Sequence, residues 1–229
     1  MAARLGGGTV YGVIFDLDGT LIDSASDLHS SINVVLAQRG LPELSLPQVV
    51  SMIGHGVRKL VERAFAASGK PLQGEALDAA YDEMVGVYES RLTELTTLMP
   101  GADAAVRTLN SAGVRLGVVT NKPHAATETI LAHFGLLDPM LIVMGGDSGL
   151  PRKPAPDMLE VALYKLGLGP DDTVMVGDSP ADIDCARAAG VRSIAVRGGY
   201  TQKPADELGA DLVIGSLAKL VDVLPLPSA

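Results

Sequence analysis

The chain has 229 residues, enough for one large domain or a domain with an insertion, and a core of that size needs no disulfide or metal staple. Eighteen basic against twenty-seven acidic residues leave a net charge of -9. That balance argues against nucleic acid and anionic membranes as partners, and any site for an anion must concentrate local positive charge from a metal, a lysine or both. The single cysteine, Cys185, excludes an internal disulfide, and no apolar run approaches the roughly 18 residues of a membrane span.

Val10 to Phe15 is an apolar, β-rich run that stops at Asp16 and reads as a buried strand. The start, MAARLGGGTVYGVIF, lacks a secretory-signal pattern, so the expected compartment is the cytoplasm. From about Ala25 to Leu95 no strand is evident. Helical periodicity fits Leu28 to Arg39, Val57 to Ala67 and Gly74 to Leu95, an insertion directly after the first strand. Strand-like runs then recur at Arg115 to Val119, Leu141 to Met144, Thr173 to Val176, Ser193 to Val196 and Asp211 to Ile214. Helical patterns separate them at Ala102 to Ser111, Ala125 to Phe134, Pro156 to Leu166 and Ala181 to Ala189, ending at Gly113, Gly135, Gly167 and Gly190. The alternation predicts an α/β fold: a doubly wound parallel sheet covered on both faces, with a helical domain inserted. The expected boundaries are 1–23 and 96–229 for the α/β core and 24–95 for the helical insertion. The tail Leu224 to Ala229, with two prolines, is expected to be loose.

Four polar clusters follow apolar strands: Asp16-Leu17-Asp18-Gly19-Thr20, Thr120-Asn121, Lys153-Pro154, and Gly177-Asp178-Ser179 with Asp182. In a parallel sheet all strand ends point one way, so these clusters converge on one crevice. Taken singly, each has an ordinary reading as a turn, a strand-end cap, a surface charge or a helix cap; their order and placement together carry the argument. Two like charges 4 Å apart repel by roughly 4 kcal/mol at an effective dielectric of about 20. Asp16, Asp18, Asp178 and Asp182 therefore need protonation, a lysine or a divalent cation between them. All-oxygen donors favour a hard ion such as magnesium. The chemistry such a set supports is attack of Asp16 on phosphorus, giving an aspartyl-phosphate, with Asp18 exchanging protons with the leaving and attacking oxygens. Lys153, Thr120 and the N–H groups of Leu17 and Asn121 would hold the transferring group, and Gly19 would allow a tight turn.

The chain resembles the haloacid dehalogenase superfamily. The first motif is matched by Phe15-Asp16-Leu17-Asp18-Gly19-Thr20-Leu21-Ile22-Asp23-Ser24 and the second by Val119-Thr120-Asn121-Lys122-Pro123. The third is matched by Arg152-Lys153-Pro154-Ala155-Pro156-Asp157 and the fourth by Val176-Gly177-Asp178-Ser179-Pro180-Ala181-Asp182-Ile183. The resemblance implies Asp16 as nucleophile and metal ligand, Asp18 as acid and base with its backbone carbonyl on magnesium, and Asp178 as metal ligand. It also implies Thr120 and Lys153 on phosphate, with Asp182 supporting the metal site from behind. An acid at Asp18 points to phosphoryl transfer rather than dehalogenation, and the insertion resembles the family's helical cap.

Within the superfamily the resemblance is to bacterial phosphoglycolate phosphatases, carried by Met52-Ile53-Gly54-His55-Gly56, Leu60-Val61-Glu62-Arg63-Ala64, Gly145-Gly146-Asp147 and Arg197-Gly198-Gly199-Tyr200. His55 stands where that group usually has Asn, and it joins Arg58, Lys59 and Arg63 as a candidate reader of a small acidic substrate. The alternatives are a broader sugar-phosphate or nucleotide phosphatase, a phosphomutase, a phosphonate hydrolase, and a receiver-like phospho-aspartate switch. The expected partner is a small phosphate ester, taken by a monomer or homodimer. Cys185 is expected to be buried and inert, and Met84, Met99, Met140, Met144 and Met175 to fill the core.

Overall fold

A computed structural model describes residues 4–227. They form two compact units: one runs to Ile22 and resumes at Leu98, and the other is Asp23–Thr97. Among the described residues no helix is long and apolar enough to cross a membrane.

Strand β1 (Gly12–Phe15) is wholly buried, as a continuous apolar run in a sheet covered on both faces must be. Beyond it the chain reverses at Gly19, whose φ of +86° is open to glycine at little cost. The extended pair Ile22–Asp23 leads into the helical unit, and Thr97–Leu98 leads out.

The helical unit contains α1 (Ala25–Gln38), α2 (Leu46–Val50), α3 (Val57–Ala67) and α4 (Gly74–Glu89). Each longer helix buries one stripe: Leu28, Ile32, Val35 and Leu36 on α1, Leu60, Val61, Ala64 and Phe65 on α3, and Leu77, Ala80, Met84 and Tyr88 on α4. Helix α4 packs against both α1 and α3. Two features differ from the sequence reading. The short α2 was not anticipated; it starts at Ser45, whose N–H donates to Gln48 Oε1 at 2.8 Å. Helix α4 stops at Glu89 instead of continuing to Leu95. Further on, the buried carboxylate of Asp27 on α1 accepts from Leu95 N (3.0 Å), Thr96 N (2.8 Å) and Thr96 Oγ1 (2.7 Å), so those backbone donors serve a tertiary contact.

The other unit continues with α5 (Ala102–Ser111), β2 (Arg115–Val119), α6 (His124–His133), β3 (Met140–Met144) and α7 (Asp157–Leu166). It closes with β4 (Thr173–Gly177), α8 (Pro180–Ala188), β5 (Arg192–Val196), β6 (Leu212–Ile214) and α9 (Leu220–Val223). The six strands pair in parallel in the order β3-β2-β1-β4-β5-β6. The four glycines expected to end helices all have positive φ, from 64° to 73°. On one face Ile14, Val119, Met144 and Met175 meet Met158, Leu159, Leu163 and Cys185. Burying each of the large side chains contributes about 1.5–3 kcal/mol, so this layer fixes α7 and α8 firmly on the sheet. Met99 is only half-buried, unlike the other methionines expected in the core. The tail is also tighter than expected where it is described: Leu224 is buried and Pro225 O accepts from Val10 N at 2.8 Å. Ser228 and Ala229 lie outside the described residues.

Strand order reverses between β1 and β4, so the connections leave these two strands in opposite directions and open a crevice beyond their carboxyl ends. Phe15 is in register with both Val118 and Val176. The residues that follow these strands therefore emerge side by side.

Candidate active site

Asp16 continues the ladder of β1, its N–H donating to Val176 O at 2.9 Å, and Thr120 continues β2 by donating to Met144 O at 3.0 Å. Both side chains thus start from backbone that the sheet holds still. Asp178 follows β4 and is held from two directions: Thr20 Oγ1 donates to its Oδ1 at 3.1 Å and Tyr200 N to its Oδ2 at 2.7 Å. Asp182, in the first turn of α8, accepts from Asp178 N (3.2 Å), Ser179 N (3.0 Å) and Ser179 Oγ (2.7 Å) through Oδ2. Its Oδ1 accepts from Lys153 Nζ at 2.6 Å, and the same ammonium reaches Asp16 Oδ1 at 2.7 Å.

Lys153 does not sit directly at a strand end. It lies in the loop between β3 and α7 and returns to the crevice, with the Asn121 side-chain amide donating to its carbonyl at 3.0 Å. The Asn121 side chain therefore braces the lysine loop. Thr120 Oγ1 accepts from Lys122 N at 3.3 Å, which leaves the hydroxyl proton to donate elsewhere. Asp18 meets a second lysine: Lys122 Nζ donates to Asp18 Oδ1 at 2.9 Å. Sequence reasoning met Lys122 only as part of a motif. A lysine between Asn and Pro in a loop carries no mark of burial, yet Lys122 is 3% exposed and Lys153 4%.

His55 belongs to the helical unit, in the loop between α2 and α3, with Arg63 Nη1 3.4 Å from its Nδ1. Partial desolvation of this exposed residue and the adjacent Arg63 charge hold the imidazole below its ordinary pKa. Arg58 pairs with Asp78 at 2.6 Å and Lys59 with Glu62 at 2.8 Å on an exposed face, the ordinary state of solvated helix charges.

Asp16, Asp178 and Asp182 each offer an oxygen within 4.8 Å of the others, and all three are buried. Burial raises the Asp16 carboxyl most, Lys153 pulls it down and Asp182 raises it again, leaving it at about 6. Burial, then Asp182 and Asp16, push Asp178 well above the usual carboxylate range. Burial alone would lower the Lys153 ammonium, but Asp16 and Asp182 outweigh it and hold the group above an ordinary lysine. One lysine thus leaves the cluster short of positive charge. Its donors are all oxygen, and a hard divalent cation fits both the deficit and the donor set. The backbone closes in as well. A Cβ on Gly199 would lie 2.3 Å from Asp178 Cβ and Oδ2, so only glycine lets the loop after β5 approach closely enough for the Tyr200 N–H to reach that carboxylate.

The family model for haloacid dehalogenase-like hydrolases matches residues 13–196. A phosphoglycolate phosphatase of Cereibacter sphaeroides (strain ATCC 17025) is 41% identical over 197 residues, covering 86% of this chain and 89% of that protein. One from Rhodospirillum rubrum is 40% identical over 219 residues, 94% of this chain and 91% of the relative. Among solved structures, a predicted phosphoglycolate phosphatase from Haemophilus somnus 129PT superposes with a TM-score of 0.89 at 30% identity, over 95% of this chain and 99% of that one. Likeness of this extent reaches every loop that supplies a carboxylate or lysine to the crevice, and the chain belongs to the haloacid dehalogenase-like hydrolases as a phosphate-ester hydrolase.

Proposed function

We propose that the protein is a magnesium-dependent phosphomonoesterase that passes the phosphoryl group through Asp16, and that its substrate is 2-phosphoglycolate. The observation that carries the reaction is the Lys153 ammonium, 2.7 Å from Asp16 and 2.6 Å from Asp182 beside the three-carboxylate cluster. It fixes one Asp16 oxygen, and the other is the nucleophile. Attack on phosphorus breaks the ester P–O bond, and Asp18 gives the leaving oxygen its proton. Asp18 then takes a proton from water as that water attacks the phosphoryl group; the bond to Asp16 breaks and phosphate leaves. Lys153 and the Thr120 hydroxyl neutralise and orient the phosphoryl oxygens throughout. Asp16, Asp178 and the Asp18 backbone carbonyl would hold magnesium, with Asp182 fixing the surrounding amides. When bound, the ion supplies positive charge to the transferring group.

The substrate assignment is supported by the names of the relatives. With Arg58 and Lys59 engaged in surface pairs, His55 and Arg63 are the cationic and polar groups we assign to the substrate carboxylate. The test is steady-state phosphate release from 2-phosphoglycolate, hexose phosphates, nucleotides and pyrophosphate, with magnesium and with EDTA. The highest kcat/KM is expected on 2-phosphoglycolate, with activity abolished by EDTA and restored by magnesium. Preference for a hexose phosphate rejects the substrate, and turnover in EDTA rejects the cofactor.

A further inference from the structure

The crevice holds two buried lysines, and between them they take three of its four carboxylates. Lys153 takes Asp16 and Asp182, which with Asp178 form the cation cluster. Lys122 takes Asp18, whose side chain is outside that cluster. A buried ammonium is retained only where its position matters to the groups around it or where its partner compensates the lost hydration. Here the position is set by the loop. Lys122 N–H donates to Thr120 Oγ1 at 3.3 Å, its carbonyl accepts from Gly146 N at 2.8 Å, and Pro123 follows. These bonds fix the backbone from which the long side chain starts. Its buried ammonium ends 2.9 Å from Asp18 Oδ1.

We propose that Lys122 is a positioning residue for phosphoryl transfer: it holds the Asp18 carboxyl group in the plane from which it exchanges a proton with the ester oxygen, and keeps it from joining the cation cluster. The proposal rests on the phosphatase reading above. In the first half-reaction the Asp16 oxygen bonds to phosphorus, the ester P–O bond breaks, and the Asp18 proton passes to the departing oxygen to give a neutral alcohol. An Asp18 side chain that turned toward the cluster would leave that oxygen to depart as an alkoxide. The penalty then depends on the leaving group. It is large for an alkyl ester and small for p-nitrophenyl phosphate, whose anion is stable without a proton.

The experiment compares kcat/KM of wild type and Lys122→Met on 2-phosphoglycolate and p-nitrophenyl phosphate in magnesium, because kcat/KM reports only as far as transfer to Asp16. The expected loss is about 100-fold on the alkyl ester and under about tenfold on the aryl ester. In an Asp18→Asn background, Lys122→Met is expected to change turnover less than about twofold, since its effect runs through Asp18. Equal losses on both esters, or a full loss in the Asp18→Asn background, overturn the proposal in favour of direct phosphate binding or a packing role. If Lys122→Met does not fold, Lys122→Arg keeps the charge but displaces it; the same selective loss is expected, and wild-type rates on both esters overturn the proposal. Wild type that hydrolyses p-nitrophenyl phosphate but not 2-phosphoglycolate rejects the substrate alone, and the comparison then uses the best alkyl ester of the panel. Wild type inactive on every ester rejects the phosphatase reading and this proposal with it.

Discussion

Replacing Lys153 by methionine removes the ammonium while keeping a stem of similar length. At an effective dielectric of about 20, each of its contacts at 2.6–2.7 Å is worth ~6 kcal/mol before desolvation. Burying the three ions offsets most of that, and removing one partner of a buried pair typically costs about 3–5 kcal/mol. The penalty has a ceiling, because the abandoned carboxylates can take up protons. For a carboxyl with an ordinary value of 3.8, uptake of one proton costs about 5 kcal/mol at pH 7.5 and about 1.6 kcal/mol at pH 5. In wild type the folded Asp16 value, about 6, already lies above the unfolded one. The native state therefore holds the extra proton between about 4 and 6, and stability falls as pH rises through that window. In Lys153→Met the same fall continues above pH 6. The deficit of the variant, read by urea unfolding in EDTA, is expected to be about 3–5 kcal/mol at pH 7.5 and about 2 kcal/mol smaller at pH 5. An equal deficit at both pH values would refute the electrostatic account and assign the loss to packing of the lysine stem.

Gly199→Ala forces a Cβ to within 2.3 Å of Asp178, so it should lower kcat/KM at least about tenfold and raise the magnesium needed for half-maximal rate; unchanged metal dependence would dismiss the crowding argument. Asp27→Ala strands the N–H groups of Leu95 and Thr96 and the Thr96 hydroxyl, and urea unfolding should show a loss of about 3 kcal/mol, against under 1 kcal/mol if water replaces the carboxylate. Cys185 is buried, its thiol donating to Ala155 O at 3.3 Å, and burial pushes it up to about 12. At pH 8 only about one molecule in ten thousand carries the thiolate, so a disulfide reagent should label denatured but not native protein, and fast native labelling would contradict that environment.

The sheet was legible because a parallel strand buried on both faces must be an uninterrupted apolar run, as at Val13-Ile14-Phe15 and Val174-Met175-Val176. Once those runs end, topology makes Asp16, Thr120 and Asp178 neighbours whatever lies between them in sequence. Asp182 was traceable to the crevice because Ser179-Pro180-Ala181-Asp182 is itself a helix-start pattern directly after β4. Burial of charged residues was not legible. Lys122 and Asp27 look like any surface lysine and any first-turn acid, since nothing local distinguishes a charge with a distant partner from one in water. The five-residue α2 is too short for periodicity to register. Leu95, which the sequence reading placed at the end of α4, instead donates, with Thr96, to a carboxylate on α1, a partner far away in sequence.

The carboxylate of Asp27 and one backbone bond on the sheet side bear on how such a chain tolerates a long detour between its first strand and its fifth helix. On the sheet side Met99 N donates to Leu21 O at 2.9 Å, and within the helical unit Asp27 clasps residues 95–96. Entrance and exit are thus tied separately in each unit, and each tie closes its own circuit. The entropy of closing the detour is met mainly inside the helical unit, and to the sheet the whole excursion is equivalent to one short reverse turn. A segment whose two ends are fastened in this way can be lengthened, shortened or exchanged for another helical module with little consequence for strand register.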